Sequence, residues 1–463
     1  MSVLEHLDVV GLGDWLVEQR WFASKSREVG ALRVLEEIEL GEDLEPRLLL
    51  AIVEVRFHAG THELYQVPLG MRHVDEGWSE AVIAEVGDRT VYDAMADPEC
   101  VFRLARALRD GTRLEREDAT WGFHAANGLP DDERLRQVRP VGVEQSNSSV
   151  VFAEELILKV YRRVEPGPNP ELELLRFLTE HGFDCIARLA GWYDHMGRLV
   201  DATLGLMQEF LPGGSDGWEL ALAGFEADRG EAFLGELATL GEITARMHST
   251  LGSDANDPTF APEEPSSEAI SLLLATIDEE IEAIFRDLPA EGEDLDPIRG
   301  RGQEVREQLR GLAHAGAGGR VIRCHGDYHL GQCIRSPRGW VVLDFEGEPA
   351  RTLPQRRQKR SPLRDVAGML RSFAYAASAA EILRGEPAPA DWEERARAAF
   401  LDAYLAAVDS RLLPHGQQNT ARMLQIFELE KAVYELRYEL NNRPDWVRIP
   451  VAGIARLLEV TEP

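Results

Sequence analysis

The stretch VIRCHGDYHLGQCIRSPRGWVVLDFEGEP, residues 321–349, holds the densest set of side chains able to do chemistry. His325, Asp327 and His329 alternate just after the apolar pair Val321 and Ile322; Gln332 follows, and a second short apolar run at 340–343 ends on Asp344, Glu346 and Glu348. A general base needs a carboxylate or imidazole within hydrogen-bond reach of an acceptor hydroxyl, and Asp327, on a loop just past a buried run, meets that need. Magnesium takes oxygen ligands, one or two of them from protein and the rest from water or phosphate. The Asp344 carboxylate and the Gln332 amide oxygen are of that kind. Two chemistries stay open on these residues alone. One is phosphoryl transfer with Asp327 as base. The other is metal-dependent hydrolysis with His325, Asp327 and His329 as ligands at alternating positions. The second would want further ligands, and the remaining histidines are scattered singly.

Phosphoryl transfer also needs groups that hold the nucleotide. Lys159 interrupts the apolar run LILKVY at 156–161, and Glu173 lies fourteen residues further on, in a segment that Asn169 can cap and Pro170 can open as a helix. Such a lysine sits either at a sheet edge or against a nucleotide's phosphates. Between strand-like runs at 138–143 and 150–152 lies a polar turn, Glu144, Gln145, Ser146, Asn147, Ser148 and Ser149. Its backbone N–H groups could cover a phosphate. It lacks the glycines of a typical phosphate loop, so on local sequence alone a plain hairpin turn is the favoured reading. Gln208, Glu209 and Phe210 close the strand-rich part of the chain.

These side chains need elements to position them. Residues 1–90 read as a separate α+β segment, with helical spacing over 4–20 and strands near 32–40, 47–57 and 62–68. Trp21 and Phe22 read as aromatic anchors that staple the first helix to the sheet. Residues 91–140 read as helical and highly charged, and strands return over 137–161, at 191–193 and at 203–207. Beyond 210 the periodicity is helical, at 217–225, 229–251, 266–287, 296–314, 362–384, 391–410 and 417–441. A small mixed lobe followed by a large helical one predicts a ligand cleft. On the last of these helices Lys431, Tyr434 and Tyr438 share a face, with Arg443, Asp445 and Trp446 just after it. That face suits the C–H faces and hydroxyls of a sugar; tyrosines packed between helices are the alternative. Arg351, Arg356, Arg357, Lys359, Arg360 and Arg364 form a basic run that is either a solvated loop or an aid to phosphate steering.

A chain of 463 residues predicts two or three domains. With 50 Lys and Arg against 81 Asp and Glu, the formal charge of −31 argues against nucleic acid and against anionic membranes as partners. Solubility is the plain reading of the acidity. Four cysteines with no CxxC pair suit a reducing compartment and give no zinc pattern. The absence of a long apolar run and of a positively charged leader predicts a cytoplasmic protein.

With these residues in view, the chain resembles the aminoglycoside phosphotransferase-like branch of the protein-kinase-like superfamily, and within it most the bacterial maltokinases. The resemblance runs over essentially the whole length. It rests on EQSNSSVVF at 144–152, ILKVYRR at 157–163, EPGPNPELE at 165–173, HGDYHLGQ at 325–332, DFEGEP at 344–349 and KAVYELRYELNNRPDWVRIP at 431–450. HGDxHxGQ is shared by many small-molecule kinases; EQSNSSV, DFEGEP and the tail with NRPDW are far more specific.

The resemblance implies an α+β, bilobal kinase-like fold. It would have an N-terminal α+β cap at 1–90, an intermediate and N-lobe part at 91–209 with the ATP-binding sheet, and a mainly helical C-lobe at 210–463 with the catalytic and sugar sites. It implies an ATP-dependent maltose 1-kinase that makes maltose 1-phosphate for α-glucan (glycogen) synthesis and uses Mg2+. Asp327 would be the base, and Gln332 and Asp344 would hold magnesium. Lys159, oriented by Glu173, would meet the α- and β-phosphates under the turn of Gln145, Ser146, Ser148 and Ser149. Gln208, Glu209 and Phe210 would form the hinge that faces adenine. His325, Lys431, Tyr434, Tyr438 and Arg443 would stand on the acceptor side. A kinase of another sugar or amino sugar, such as glucosamine, is the alternative on the same fold. Association with trehalose- or maltose-pathway enzymes is a further implication of the family setting.

Overall fold

The structure is a computed structural model, and it describes residues 9–459 apart from 23, 42–43, 117, 127, 142–146, 226–229, 290, 313–318, 350 and 386. The chain forms two compact units. One runs to Arg176 and takes in Ala187–Pro212; the other holds Phe177–Ile186 and the chain from Gly213 onward.

In the first unit, the helix Val9–Glu18 precedes an antiparallel meander of Val29–Glu39, Arg47–Phe57 and His62–His73, extended by Arg89–Asp93 and then Val82–Val86. The central strand reads RLLLAIVEVRF and is buried almost throughout, because both of its faces are covered. Side chains alternate across a strand. Leu49, Ala51, Val53 and Val55 therefore join one core with Leu12, Leu16, Trp21 and Phe22. Leu48, Leu50 and Ile52 join a second core with the helix Pro98–Asp110 and the second sheet. Trp21 and Phe22 are anchors as expected, and Phe22 stacks on Tyr65 at 5.1 Å.

The second sheet runs in the order Arg113–Arg116, Ala119–Ala125, Leu189–Gly197, Asp201–Glu209, Leu156–Tyr161, Asn147–Phe152 and Val138–Pro140. Part of the stretch expected to be helical is thus a β-hairpin. The helix over 98–110 stops at Gly111, whose φ of 63° is left-handed. Beyond it Trp121 and Phe123 alternate into the core, a strand period that the charge of the segment masks. The chain leaving Leu156–Tyr161 continues as Arg163–Val164, which pairs with Leu64 and Tyr65 of the first sheet. Gln66 adds to the join: its amide donates to the carbonyls of Tyr161 (3.1 Å) and Leu204 (2.8 Å), and its oxygen accepts from Tyr193 (2.9 Å).

The second unit is mainly helical, with helices at Gly217–Ala223, Gly230–Leu251, Ser267–Arg286, Gly302–Leu312, Leu363–Arg384, Trp392–Ala407 and Gln417–Asn442, close to the expected spans. A further helix, Arg448–Glu459, carries the tail. A small antiparallel sheet, Ser215–Asp216, Cys333–Ser336 and Gly339–Val342, lies within it. Helices Gly230–Leu251 and Trp392–Ala407 approach so closely at Gly241 that an added Cβ would stand 2.3 Å from the Phe400 carbonyl oxygen. Among the described residues no helix is long and apolar enough to cross a membrane.

Candidate active site

In the helical unit the loop of Asp327 is tied down from behind. Ile322 and Arg360 exchange backbone hydrogen bonds, and Gly326 takes a left-handed φ of 88° that a side chain would strain. The backbone N–H groups of His325 and Gly326 donate to the two oxygens of Asp365, at 2.9 and 3.0 Å. Asp365 lies in the first turn of Leu363–Arg384 and is only 2% exposed. His248 Nε2 donates to it at 3.2 Å, and His248 Nδ1 and the Tyr404 hydroxyl are hydrogen-bonded at 3.0 Å. Burial pushes the Asp365 carboxyl up, but the hydrogen bond and charge of His248 prevail and hold it below its ordinary range. Asp365 was not singled out in the sequence. Its signal is a carboxylate among Leu363, Val366, Ala367 and Leu370, on the buried face of a helix.

His325 is 1% exposed, packed between Tyr328 and Phe345. Its Nε2 donates to the Leu343 carbonyl at 2.8 Å, and its Nδ1 accepts the Asp327 N–H at 3.3 Å. Both ring nitrogens are committed to the loop. This corrects two expectations: His325 is neither a metal ligand nor an acceptor contact, and the hydrolase triad loses its first member. His329 Nδ1 likewise accepts the Gly331 N–H at 3.1 Å, and burial lowers its basicity.

Lys431, from the helix Gln417–Asn442, brings its ammonium 3.6 Å from Asp327 Oδ1 and 3.8 Å from Glu348 Oε1. Burial would make Lys431 less basic, but the charges of Asp327 and Glu348 outweigh it and raise its pKa. Burial would raise Glu348, but Lys431 and Arg351 hold it below its ordinary range. Tyr434, one turn on, has its ring centroid 5.3 Å from the Lys431 ammonium. Tyr438 is 45% exposed on the next turn. Arg443 closes the helix about 18 Å along its axis from Lys431. It is ion-paired to Glu439 at 2.6 Å and lies over Trp446. The structure therefore gathers Lys431 and Tyr434 at Asp327 and puts Arg443 in a separate cluster at the helix end.

Gln332 ends the short helical turn Leu330–Gln332, and Asp344 follows the strand Gly339–Val342. The Leu343 N–H donates to the Gln332 carbonyl at 2.9 Å, and the Gln332 amide meets Asp344 Oδ2 at 3.2 Å. Asp344 takes a φ of 63°, a left-handed conformation that costs about 1–2 kcal/mol. An amide and a carboxylate side by side, offering oxygen ligands only, fit magnesium. The basic run is largely ion-paired: Arg351 meets Glu348, Arg364 meets Glu430, and Lys359 meets Glu263. Burial, with Arg364 and Arg351 nearby, pulls Arg360 down to about 10.

In the sheet-rich unit Lys159 donates to both oxygens of Glu171, at 3.0 and 3.3 Å, and the Tyr161 hydroxyl donates to the same carboxylate at 3.0 Å. Glu171 is fully buried. The carboxylate on Lys159 is thus that of Glu171, a correction to the expected Glu173. Ser149 stands opposite Lys159 in the ladder, its hydroxyl buried with no hydrogen-bond partner among the described residues. Ser148 accepts a hydrogen bond from Arg162 at 2.8 Å. Gln145 and Ser146 lie outside the described residues. Gln208 is a buried ladder residue opposite Ile157. The N–H groups of Glu209 and Phe210 donate to Arg188 and Glu155 carbonyls, at 2.9 and 2.7 Å, so those two donors are already used within the sheet-rich unit.

Residues 137–407 match the family model described as Phosphotransferase enzyme family, and residues 15–97 match that of the Maltokinase N-terminal cap domain. A glucosamine kinase of Streptacidiphilus jiangxiensis is 30% identical over 337 residues, 69% of this chain and 73% of that protein. One of Mycolicibacterium smegmatis is 29% identical over 71% of this chain and 81% of its own length. A solved glucosamine kinase shares the fold with a TM-score of 0.71 over 96% of each chain, at 24% identity. Another, in complex with glucosamine, ADP and inorganic phosphate, does so with a TM-score of 0.70 over 96% of this chain and 98% of its own, at 22% identity. The expected kinase-like fold with an N-terminal cap and a helical C-terminal region is the fold observed. With a family match over more than half of its length, this chain belongs to the phosphotransferase enzyme family and carries a maltokinase N-terminal cap domain.

Proposed function

We propose that the protein is an ATP-dependent sugar kinase whose acceptor is maltose, phosphorylated on its anomeric hydroxyl. The observation that supports this most is Lys431, 3.6 Å from Asp327 and 3.8 Å from Glu348. Through it the two stretches most characteristic of bacterial maltokinases, DFEGEP and KAVYELRYELNNRPDW, meet at the aspartate of HGDYHLGQ. The cap match over 15–97 supports the same acceptor.

In this reading Asp327 accepts the proton of the acceptor hydroxyl as the oxygen bonds to the γ-phosphorus and the bond to ADP breaks. Lys431 pairs with Asp327 and holds its carboxylate in place, and the ring faces of Tyr434 and Tyr438 take the sugar's C–H surfaces. Lys159, held by Glu171, to which Tyr161 also donates, meets the α- and β-phosphates. Magnesium bound by Gln332 and Asp344 would neutralise charge on the phosphate oxygens. The product, maltose 1-phosphate, would feed α-glucan synthesis in the cytoplasm.

Glucosamine is the second reading, favoured by the two relatives at 30% and 29% identity. A panel of maltose, glucose, glucosamine and trehalose with Mg-ATP separates them, with phosphorus NMR locating the new ester. We expect kcat/KM for maltose at least tenfold above the others, with an anomeric phosphate. Preference for glucosamine, or phosphate on another hydroxyl, overturns the maltose assignment.

A further inference from the structure

Arg162 follows the strand of Lys159 and is 1% exposed. Its side chain reaches parts of both sheets of the first unit. Nη2 donates to Asp93 of the N-terminal sheet at 2.6 Å, and the guanidinium lies 4.8 Å from the ring centroid of Trp21. Nε donates to Ser148 Oγ at 2.8 Å. Its backbone carbonyl accepts from the Gln66 N–H, also in the N-terminal sheet, at 2.7 Å. Nη1 is buried with no hydrogen-bond partner among the described residues. A buried guanidinium in this state depends on its remaining partners, since a lost partner leaves a charge without compensation. Ser148 neighbours Ser149, which stands opposite Lys159 in the ladder. One side chain therefore spans the domain matched as a cap and the strand that carries Ser149.

We propose that Arg162 is a positioning residue through which the N-terminal sheet, by way of Ser148 on the opposite face of the strand, sets the placement of Ser149 beside Lys159, and so the affinity for ATP. Side chains alternate across a strand. Lys159 and Tyr161 both reach Glu171, whereas Arg162 turns to Asp93 and Trp21, so it acts on the nucleotide side only through Ser148. This rests on the ATP-dependent phosphotransfer reading, which wild-type turnover of ATP with any sugar of the panel establishes separately.

The test is a cycle of Asp93→Asn, Ser148→Ala and the double variant. The readouts are KM for ATP, KM for the sugar, and the thermal midpoint. Asp93 touches Arg162 from the cap side, so a purely structural role would lower stability without separating the two substrates. We expect Asp93→Asn to raise KM for ATP three- to tenfold, with KM for the sugar within twofold of wild type. In the double variant the effects should fall short of the product of the single ones. Equal changes for both substrates, or effects that multiply, overturn the proposal. If Asp93→Asn does not fold, Trp21→Phe replaces it under the same criteria.

Discussion

On the helix Pro170–Glu180, residues 171 and 173 lie about 200° apart, so both carboxylates cannot face the same lysine. The buried one, Glu171, holds Lys159 and Tyr161. A hydrogen bond to a charged group contributes about 1.5–3 kcal/mol. Glu171→Gln should therefore lower kcat/KM for ATP roughly ten- to a hundredfold, while Glu173→Gln stays within about twofold. Steady-state kinetics of the two variants side by side decide it; equal losses would remove Glu171 from this role. His325 teaches the same lesson from the other side. Its type and spacing suggest chemistry, yet both nitrogens are spent on the loop.

At the scale of elements, the proposed base, Asp327, is only as well placed as its loop, and the loop hangs on the first turn of Leu363–Arg384 through Asp365. The folded carboxyl lies below its ordinary value of about 3.9. A depressed carboxylate contributes stability that is present above the unfolded pKa and lost as pH falls through the folded one. Asp365→Asn should thus be less stable than wild type by about 2–3 kcal/mol at pH 7, and the gap should shrink below about pH 4. It should also lower kcat more than either KM, because the misplaced loop carries the base. Unfolding midpoints at pH 7 and 3.5 read this directly; a gap that does not change with pH would mean that Asp365 is not ionised in the fold.

For the whole molecule, the charge of −31 acts against compaction, while its many surface ion pairs act for it. Surface pairs contribute little each, and salt screens repulsion and attraction alike. With 81 acidic against 50 basic residues the repulsion should win. Raising NaCl from 20 mM to 0.5 M should then lift the thermal midpoint by about 2–4 °C, the scale of ~1 kcal/mol in domains of this size. A falling midpoint would show that surface ion pairs such as Arg139–Glu154 and Arg306–Asp278 dominate instead.

The candidate groups were legible in the chain itself. Lys159, Asp327, Gln332 and Asp344 stand out because, in the proposed reading, phosphoryl transfer needs such groups on short loops and strands. The helices beyond 210 show in their apolar period for the same kind of local reason. The strands of the N-terminal sheet show in runs such as LLLAIV. Where local signals competed, the reading failed: charge over 111–126 hid a hairpin whose real mark is the alternation of Trp121 and Phe123. What only the tertiary structure decided are partners far apart in sequence. Asp365 holds a loop 40 residues away and His248 reaches Asp365 across 117, while Lys431 meets Asp327 at 3.6 Å. Spacing along the chain carries no information about such meetings, because they are set by how helices and sheets pack. The same packing chose Glu171 over Glu173, retired His325 from substrate contact and brought Arg162 to Asp93 and Ser148 at once.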